Sequence, residues 1–577
     1  MRWIMDNGFD PRYTFWTRAN VNEVFPEPLS PLGWDLGWEG ACLTGWRDLY
    51  VQRFGMGDDE LSRDRNETMG VFGGYAYLGA GLFRVWAGRS PGMTPTSIDE
   101  AYFGDHPDVP PYVEEDWHAN ARTTEVMGRW VGWATGDMNQ DELEADRVES
   151  LRVRAARPDL SAVSDEELLG RAVSLRPLMR RLSEQHTNQS VAASFGPGIL
   201  RQLCTGIGKP ELAVGLIAAL GGVDSAMPVY AMWGLSRTVA TSTEVTALFD
   251  AGVDDLDQRA RASGSADVAV FVTAFDGFLA EFGSRGTNEW DLIGAAWEVN
   301  PRSALAAIDR MRSAGDDASP LVEHAAREAT RLAIEDEIRT AVAGSPEGLG
   351  ALDLGVRATA TFVPGRERSK TSIMRVLHEA RMATRQLGLR FAERGVLEQP
   401  LDVYLLFVDE LHDLVAGALP DAAALVAPRR EYRAWLAGLE PPFILNGTSP
   451  PNTTWAARGS ATATTLAVGD GLTGVSGSPG RATGRARVIH DSGDPGALQP
   501  GEVLIAATTD PSWTPLFVGA AAVVVDVGTA LSHAVIVSRE LGIPCVPSAP
   551  DASRRIPDGA LVTVDGDHGV VTLIELP

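Results

Sequence analysis

The chain has 577 residues with 44% hydrophobic and 22% charged side chains, and its formal net charge is −27. That length implies two to four domains, and the acidic field repels a phosphate backbone, which argues against nucleic-acid binding. The three cysteines, Cys42, Cys204 and Cys545, are scattered and form no CxxC or Cys/His cluster, which fits a reducing cytoplasm and argues against a disulfide framework or a zinc site.

The N-terminus "MRWIMDNGFD" has no apolar signal core, and no run of 18 apolar residues occurs. Residues 1–120 are rich in Trp, Gly and Pro and read as loops and short helices, without a sheet. Their tryptophans fit either an aromatic pocket or core packing. From about 120 to 440 the period is helical. "PLVEHAAREATRLAIEDEIRTAV" sets Leu321, Ala325, Ala329 and Leu332 at helical spacing. "SIMRVLHEARMATRQLGLRFAERG" does the same and stops at Gly395. Long amphipathic helices bury their stripes against one another, so residues 1–440 are expected to form one mainly helical domain.

The composition changes near residue 440. "LEPPFILNGTSPPNTTWAARGSATATTLAVGDG" is poor in large apolar residues and reads as a flexible linker over 441–470. Beyond it, "GRARVIH", "GEVLIAA", "AAVVVDV" and "ALVTVDG" are short β-rich runs separated by turn residues. A helix over 532–541 follows the third run. The fold class expected is therefore multidomain: a large helical domain plus a small C-terminal α/β domain over 471–577.

His533, one of only nine histidines, sits where the buried run "AAVVVDV" passes through "GTAL" into the helix "HAVIVSREL". Ser532 suits the N-cap, and Gly542 with Pro544 beyond it suits the stop. First-turn amides and the helix dipole favour an anion beside this imidazole, and a neutral imidazole nitrogen is a competent nucleophile. A cap or core histidine fits the same position.

The order "GVSGSPGRATGRARV", "TTDPSWTPLF", "LSHAVIVSRELGIPCV", "IPDGALVTVDGDHGVV" over residues 471–577 resembles the swivelling phosphohistidine domain of the phosphoenolpyruvate-utilising enzymes. The resemblance implies that His533 is phosphorylated in turnover. The chain departs from the family pattern at Thr529, where a second glycine is usual, and at Pro547–Ser548, where Val-Gly is usual. More weakly, "NVNEVFPEPLSPLGW", "EFGSRGTNEWDL", "GRERSKTSIMRVLHEAR" and "RFAERGVLEQPLDVYLLFVDEL" resemble the acceptor-binding part of the rifampicin phosphotransferase branch.

That second resemblance points to Arg366 and Lys370, four apart, as a grip on a transferring phosphoryl group; a solvated basic face is the alternative. Arg285, Glu289 and Asp291 fit either a pocket lining or an ion-pair brace. Glu23 aligns with the polar position that approaches the acceptor hydroxyl, as a general base or as a loop contact. His378 fits pocket lining or a satisfied helical histidine. No GxxxxGK[ST] loop occurs, no ATP-grasp pattern is read ahead of "WTRANVNE", and no barrel pattern is read after "VDGDHG". The resemblance then implies the phosphohistidine-bearing subunit of a two-component kinase of the phenylphosphate synthase type. ATP and Mg2+ would be bound mainly at a separate ATP-grasp subunit, and the acceptor would be a small-molecule hydroxyl, with no nucleic acid and no membrane partner. A self-contained phosphotransferase with another donor, and a non-catalytic binding protein keeping the fold, are the other readings.

Overall fold

The computed structural model describes residues 1–577 except 63–64, 104–105, 107, 461–462, 491–497, 511–512 and 530–531. The chain divides into two compact units. The first comprises Met1–Ala192, Trp290–Gly294 and Arg368–Thr462; the second comprises Ala193–Glu289, Ala295–Glu367 and Ala463–Pro577.

The first unit is mainly helical but contains a four-stranded antiparallel sheet, which overturns the expectation of no sheet in residues 1–120. Its strands are β1 (Phe15–Thr17), β2 (Met69–Phe72), β3 (Tyr75–Leu78) and β4 (Ile444–Asn446), in the order β2-β3-β1-β4. The β2–β3 hairpin turns on Gly73 and Gly74, both at positive φ (58° and 84°), the two-residue turn that matches strand twist. Strand β4 pairs with β1 through Phe15↔Asn446, Trp16↔Leu445 and Thr17↔Ile444. The segment 441–470, expected as a flexible linker, therefore begins as ordered structure. Trp455 is buried in one cluster with Trp16, Phe72, Tyr75, Tyr77, Leu436 and Leu445, and its indole N–H donates to the Pro450 carbonyl at 3.0 Å. Three-residue strands paired across more than 400 positions leave no local period to read.

One helix, Pro346–Glu393, is 48 residues long and carries Pro364 in its interior. The division between the units falls inside it, at Glu367/Arg368. It ends before Gly395, which adopts φ 71°, a left-handed position that stops the helix.

The second unit joins helices of residues 193–367 to a seven-stranded sheet. Its strands are β5 (Gly471–Thr473), β6 (Arg481–Val488), β7 (Val503–Ala506), β8 (Ala522–Val525), β9 (Cys545–Val546), β10 (Leu561–Asp565) and β11 (Val570–Glu575), in the order β5-β11-β10-β6-β7-β8-β9. The pairs β6–β7, β7–β8 and β8–β9 are parallel. Alternating residues feed two cores, as the period of two requires. Val503, Ile505, Ala522 and Val524 pack on one face. Leu504, Ala506, Val523 and Val525 pack on the other, in one cluster with Trp297, Leu305, Leu516 and Phe517.

The helix Pro320–Ala341 departs from expectation. Leu321 and Leu332 are 56% and 51% exposed, and Ala325 and Ala329 are exposed too. The face turned inward instead carries His324, Arg327, Arg331 and Ile338, because that face meets the polar end of the helix His533–Leu541. Among the described residues no helix is long and apolar enough to cross a membrane.

Candidate functional site

Strand β8 delivers the chain to a turn, and His533 opens the helix His533–Leu541. Ser532 occupies the N-cap position in extended conformation but makes no side-chain cap. The helix closes at Gly542, φ 71°. His533 is 7% exposed. Its Nε2 lies 3.1 Å from the Thr514 hydroxyl, and the Phe517 ring meets the imidazole edge-on at 6.0 Å between centroids. The short helix Thr514–Phe517, between β7 and β8, supplies both neighbours. With the proton on Nδ1, Nε2 presents its lone pair to the Thr514 O–H.

Around this turn the polar inventory is incomplete. The hydroxyls of Thr508, Thr509 and Ser532 are buried without a hydrogen-bond partner among the described residues, and so is the Asn288 carboxamide oxygen. Asn288 sits in the same unit, and its backbone N–H points at the Asp510 carboxylate at 3.5 Å. Each buried, unbonded hydroxyl costs free energy, and such atoms are informative where a ligand can complete them. Asp526, at the end of β8, accepts from the Ser553 N–H at 2.8 Å, and burial pushes its carboxyl up to about 6. The two departures from the family pattern meet here: Ser548, at φ 54°, donates its hydroxyl to the carbonyl of Gly528, the neighbour of Thr529, and ties the turn from below.

The other sequence candidates are distributed over both units. Arg285 and Glu289 form a buried ion pair at 2.8 Å, and the Gly286 N–H also donates to Glu289; this is a brace within the second unit. Asp291 lies in the first unit, where it accepts from the Ser30 N–H at 2.8 Å and from the Ser30 hydroxyl, and burial raises its carboxyl above the ordinary range. Arg366 pairs with Glu367, which also accepts from the Ser225 hydroxyl. Lys370, in the first unit, is 7% exposed, so it does not stand on a solvated basic face. Glu23 is buried in the short helix Val21–Val24. His378 is fully buried, with Nδ1 3.1 Å from the Arg381 guanidinium.

Sequence reasoning missed Thr514, Asn288 and the unbonded hydroxyls. The segment "TTDPSWTPLF" marked the loop, but only the packing of the Thr514–Phe517 helix against His533 shows which hydroxyl faces the ring. Among the described residues no three His, Cys, Asp or Glu come together as metal ligands.

Two family models match the chain: the rifampicin phosphotransferase fourth domain over residues 185–367, and the mobile domain of PEP-utilising enzymes over residues 498–569. Over 99% of its length the chain is 28% identical to uncharacterised proteins of Mycobacterium bovis and Mycobacterium tuberculosis, covering 63% of theirs. It is 30% identical to a rifampicin phosphotransferase of Streptomyces sviceus over 62% of this chain and 40% of that protein. A phosphotransferase of Bacillus subtilis, YvkC, is 28% identical over 52% of this chain and 36% of that protein. The chain thus spans under two thirds of the length of these relatives. The mobile-domain match encloses His533, Thr514 and the chain between them, so this part of the chain is similar to the mobile domain of PEP-utilising enzymes and residues 185–367 are similar to the rifampicin phosphotransferase fourth domain.

Proposed function

We propose that this chain is the phosphoryl-carrying and acceptor-binding part of a phosphotransferase. The observation that carries the reading is the helix-start position of His533, with Nε2 facing the Thr514 hydroxyl, beside a Ser532 hydroxyl that, like those of Thr508 and Thr509 in the loop after β7, has no hydrogen-bond partner among the described residues. In the first step the Nε2 lone pair attacks phosphorus, and the bond from phosphorus to the donor's leaving oxygen breaks. Hydroxyl donors and first-turn amides then hold the phosphoryl oxygens. In the second step the oxygen of an acceptor hydroxyl attacks phosphorus, the N–P bond breaks, and the hydroxyl proton passes to a base, for which Glu23 is the candidate. Lys370 and Arg366 supply positive charge to the phosphoryl group in flight.

The donor in this reading is ATP, bound with Mg2+ on a separate ATP-grasp subunit: attack of Nε2 on the β-phosphorus displaces AMP, and a water molecule then cleaves off the γ-phosphate as inorganic phosphate, which leaves the β-phosphoryl group on His533. The acceptor is a phenol or another small alcohol. The first unit, rich in buried tryptophan, supports an aromatic acceptor.

The test combines the chain, a candidate ATP-grasp protein and ATP labelled at the β-phosphate. Wild type takes up an acid-labile, base-stable label, and His533→Ala takes up none. An equal label on the Ala variant would sink the carrier reading. Label acquired without the ATP-grasp protein would instead favour a self-contained enzyme.

A further inference from the structure

The helix that starts at His533 is held at its other end. Glu540, one residue before the helix ends, is 3% exposed. Its carboxylate accepts the backbone N–H of Leu220 at 3.0 Å and of Gly221 at 3.2 Å. His324 Nδ1 lies 3.7 Å from the same carboxylate and 3.3 Å from the Glu540 carbonyl, with the Tyr230 hydroxyl 3.3 Å from that nitrogen. Alongside, Ala219 N–H donates to the Arg539 carbonyl at 3.3 Å, and Arg327 donates to the Gly542 carbonyl at 2.7 Å. Each backbone or guanidinium donor in this set belongs to the helical part, residues 193–367. Each acceptor belongs to the α/β part that carries His533. The turn that offers the amides is built for it: Ala219, Gly221 and Gly222 have φ 47°, 73° and 65°, a local conformation that aims successive N–H groups at one anion.

Much of the remaining seam between these two parts is apolar, with Leu305 and Trp297 in one cluster with Leu516 and Phe517, and the long Asn288 N–H contact to Asp510 lies across it too. Apolar burial is strong but non-directional; hydrogen bonds to a carboxylate are short and narrow in angle. The apolar seat therefore holds the α/β part down, while the Glu540 contacts decide its orientation. We propose that Glu540 is a positioning residue: through the Leu220 and Gly221 amides it fixes the pose in which the His533-bearing domain rests on the helical part, and breaking these bonds is the step that frees the domain to leave. The consequence for turnover rests on the carrier reading of His533; the pose itself does not.

Hydrogen exchange on the intact chain reads the pose directly. In Glu540→Ala, exchange at residues 219–221 and along the facing helices 320–341 and 533–541 rises by at least about tenfold, the effect of losing hydrogen bonds to a charged acceptor, while β10 and β11 keep their protection. Glu540→Gln retains a carbonyl acceptor and returns most of that protection. Wild-type exchange in the Ala variant, or a Gln variant as open as Ala, overturns the proposal. Should Glu540→Ala not fold, Glu540→Leu, which keeps most of the side-chain volume and removes the acceptor, gives the same regional rise, and no rise overturns the proposal equally. Chemical phosphorylation of wild type and His533→Ala with potassium phosphoramidate is a separate arm: equal labelling there defeats the carrier reading and leaves the exchange result standing.

Discussion

Two regions of this molecule bury polar side chains and treat them in opposite ways. In the middle of the long helix, Glu379 is fully buried and receives Arg157 at 2.7 Å and Arg171 at 2.9 Å. Next to it, Arg381 donates to the Asp291 and Leu292 carbonyls and meets His378. In the second unit, by contrast, the hydroxyls of Thr508 and Thr509 in the loop after β7, the hydroxyl of Ser532 beside His533 and the Asn288 carboxamide oxygen lie buried without partners among the described residues. Around Glu379 the carboxylate is enclosed by its arginines, although the Arg171 Nε stays without a hydrogen-bond partner among the described residues, and a largely satisfied network of this kind rigidifies the core. A buried set with capacity left over is a place that something else completes. His378 lies in the first surrounding, against the Arg381 guanidinium, and His533 in the second, facing the Thr514 hydroxyl.

The strongest way to break this contrast is to exchange His533 for Ala. Phosphotransfer falls to background, while the thermal midpoint barely moves, because Ala is a good helix former and Ser532 makes no side-chain cap to lose. A large drop in stability, seen by calorimetry, would place His533 with the scaffold histidines.

Glu379→Ala is the mirror experiment. It leaves Arg157 and Arg171 facing each other without their carboxylate, and the expected cost is about 3–5 kcal/mol of stability. Chemical denaturation measures it. Labelling of His533 per folded molecule stays at the wild-type level. A loss of less than about 1 kcal/mol, the range of an exposed pair, would show that solvent, not Glu379, compensates these arginines.

Lys370→Ala probes the acceptor step. Loss of one electrostatic contact to the moving phosphoryl group costs about 2.7–4 kcal/mol in barrier, roughly a hundred- to a thousandfold in rate. Label on His533 forms normally and fails to leave. Unchanged turnover would make Lys370 a structural cation, buried for packing alone.

Asp526 gives a pH signature. Burial raises its folded-state value to about 6 from 3.8, so the folded state binds the proton more tightly than the unfolded state. The favourable contribution is complete below the unfolded value and is lost as pH rises through about 6, by at most about 3 kcal/mol. Asp526→Asn flattens the stability profile between about pH 4 and 6; an unaltered slope there would contradict the burial of this carboxyl.

The smallest effect is expected from Ser532→Ala. Its hydroxyl is buried and has no hydrogen-bond partner among the described residues, so its removal changes stability by less than about 1 kcal/mol, in either direction. A larger loss would show that the hydroxyl is bonded in the folded protein and would blur the contrast from which these experiments start.

Much of the C-terminal α/β part was legible from local pattern. The runs at 484–490, 501–507, 521–527 and 560–566 became β6, β7, β8 and β10, because period-two alternation and the turn residues are local properties. The helix start at His533 and its stop at Gly542 were legible for the same reason. Strands β5 and β9 have three and two residues, too few to show a period. The stripe Leu321–Leu332 had the right spacing, but spacing names a face without saying which face turns inward.

The sequence by itself therefore determined elements whose signals are contained within about a dozen residues: strands β6, β7, β8 and β10, and the helix that starts at His533 and stops at Gly542. Only the tertiary structure decided the pairing of β1 with β4, the burial of Lys370, the bonding of Asp291 to Ser30, and the approach of Thr514 to His533. Each of these depends on contacts between distant residues, whose formation rests on closing long loops and on the shape of a packed core. Neither leaves a mark in the order of neighbouring residues.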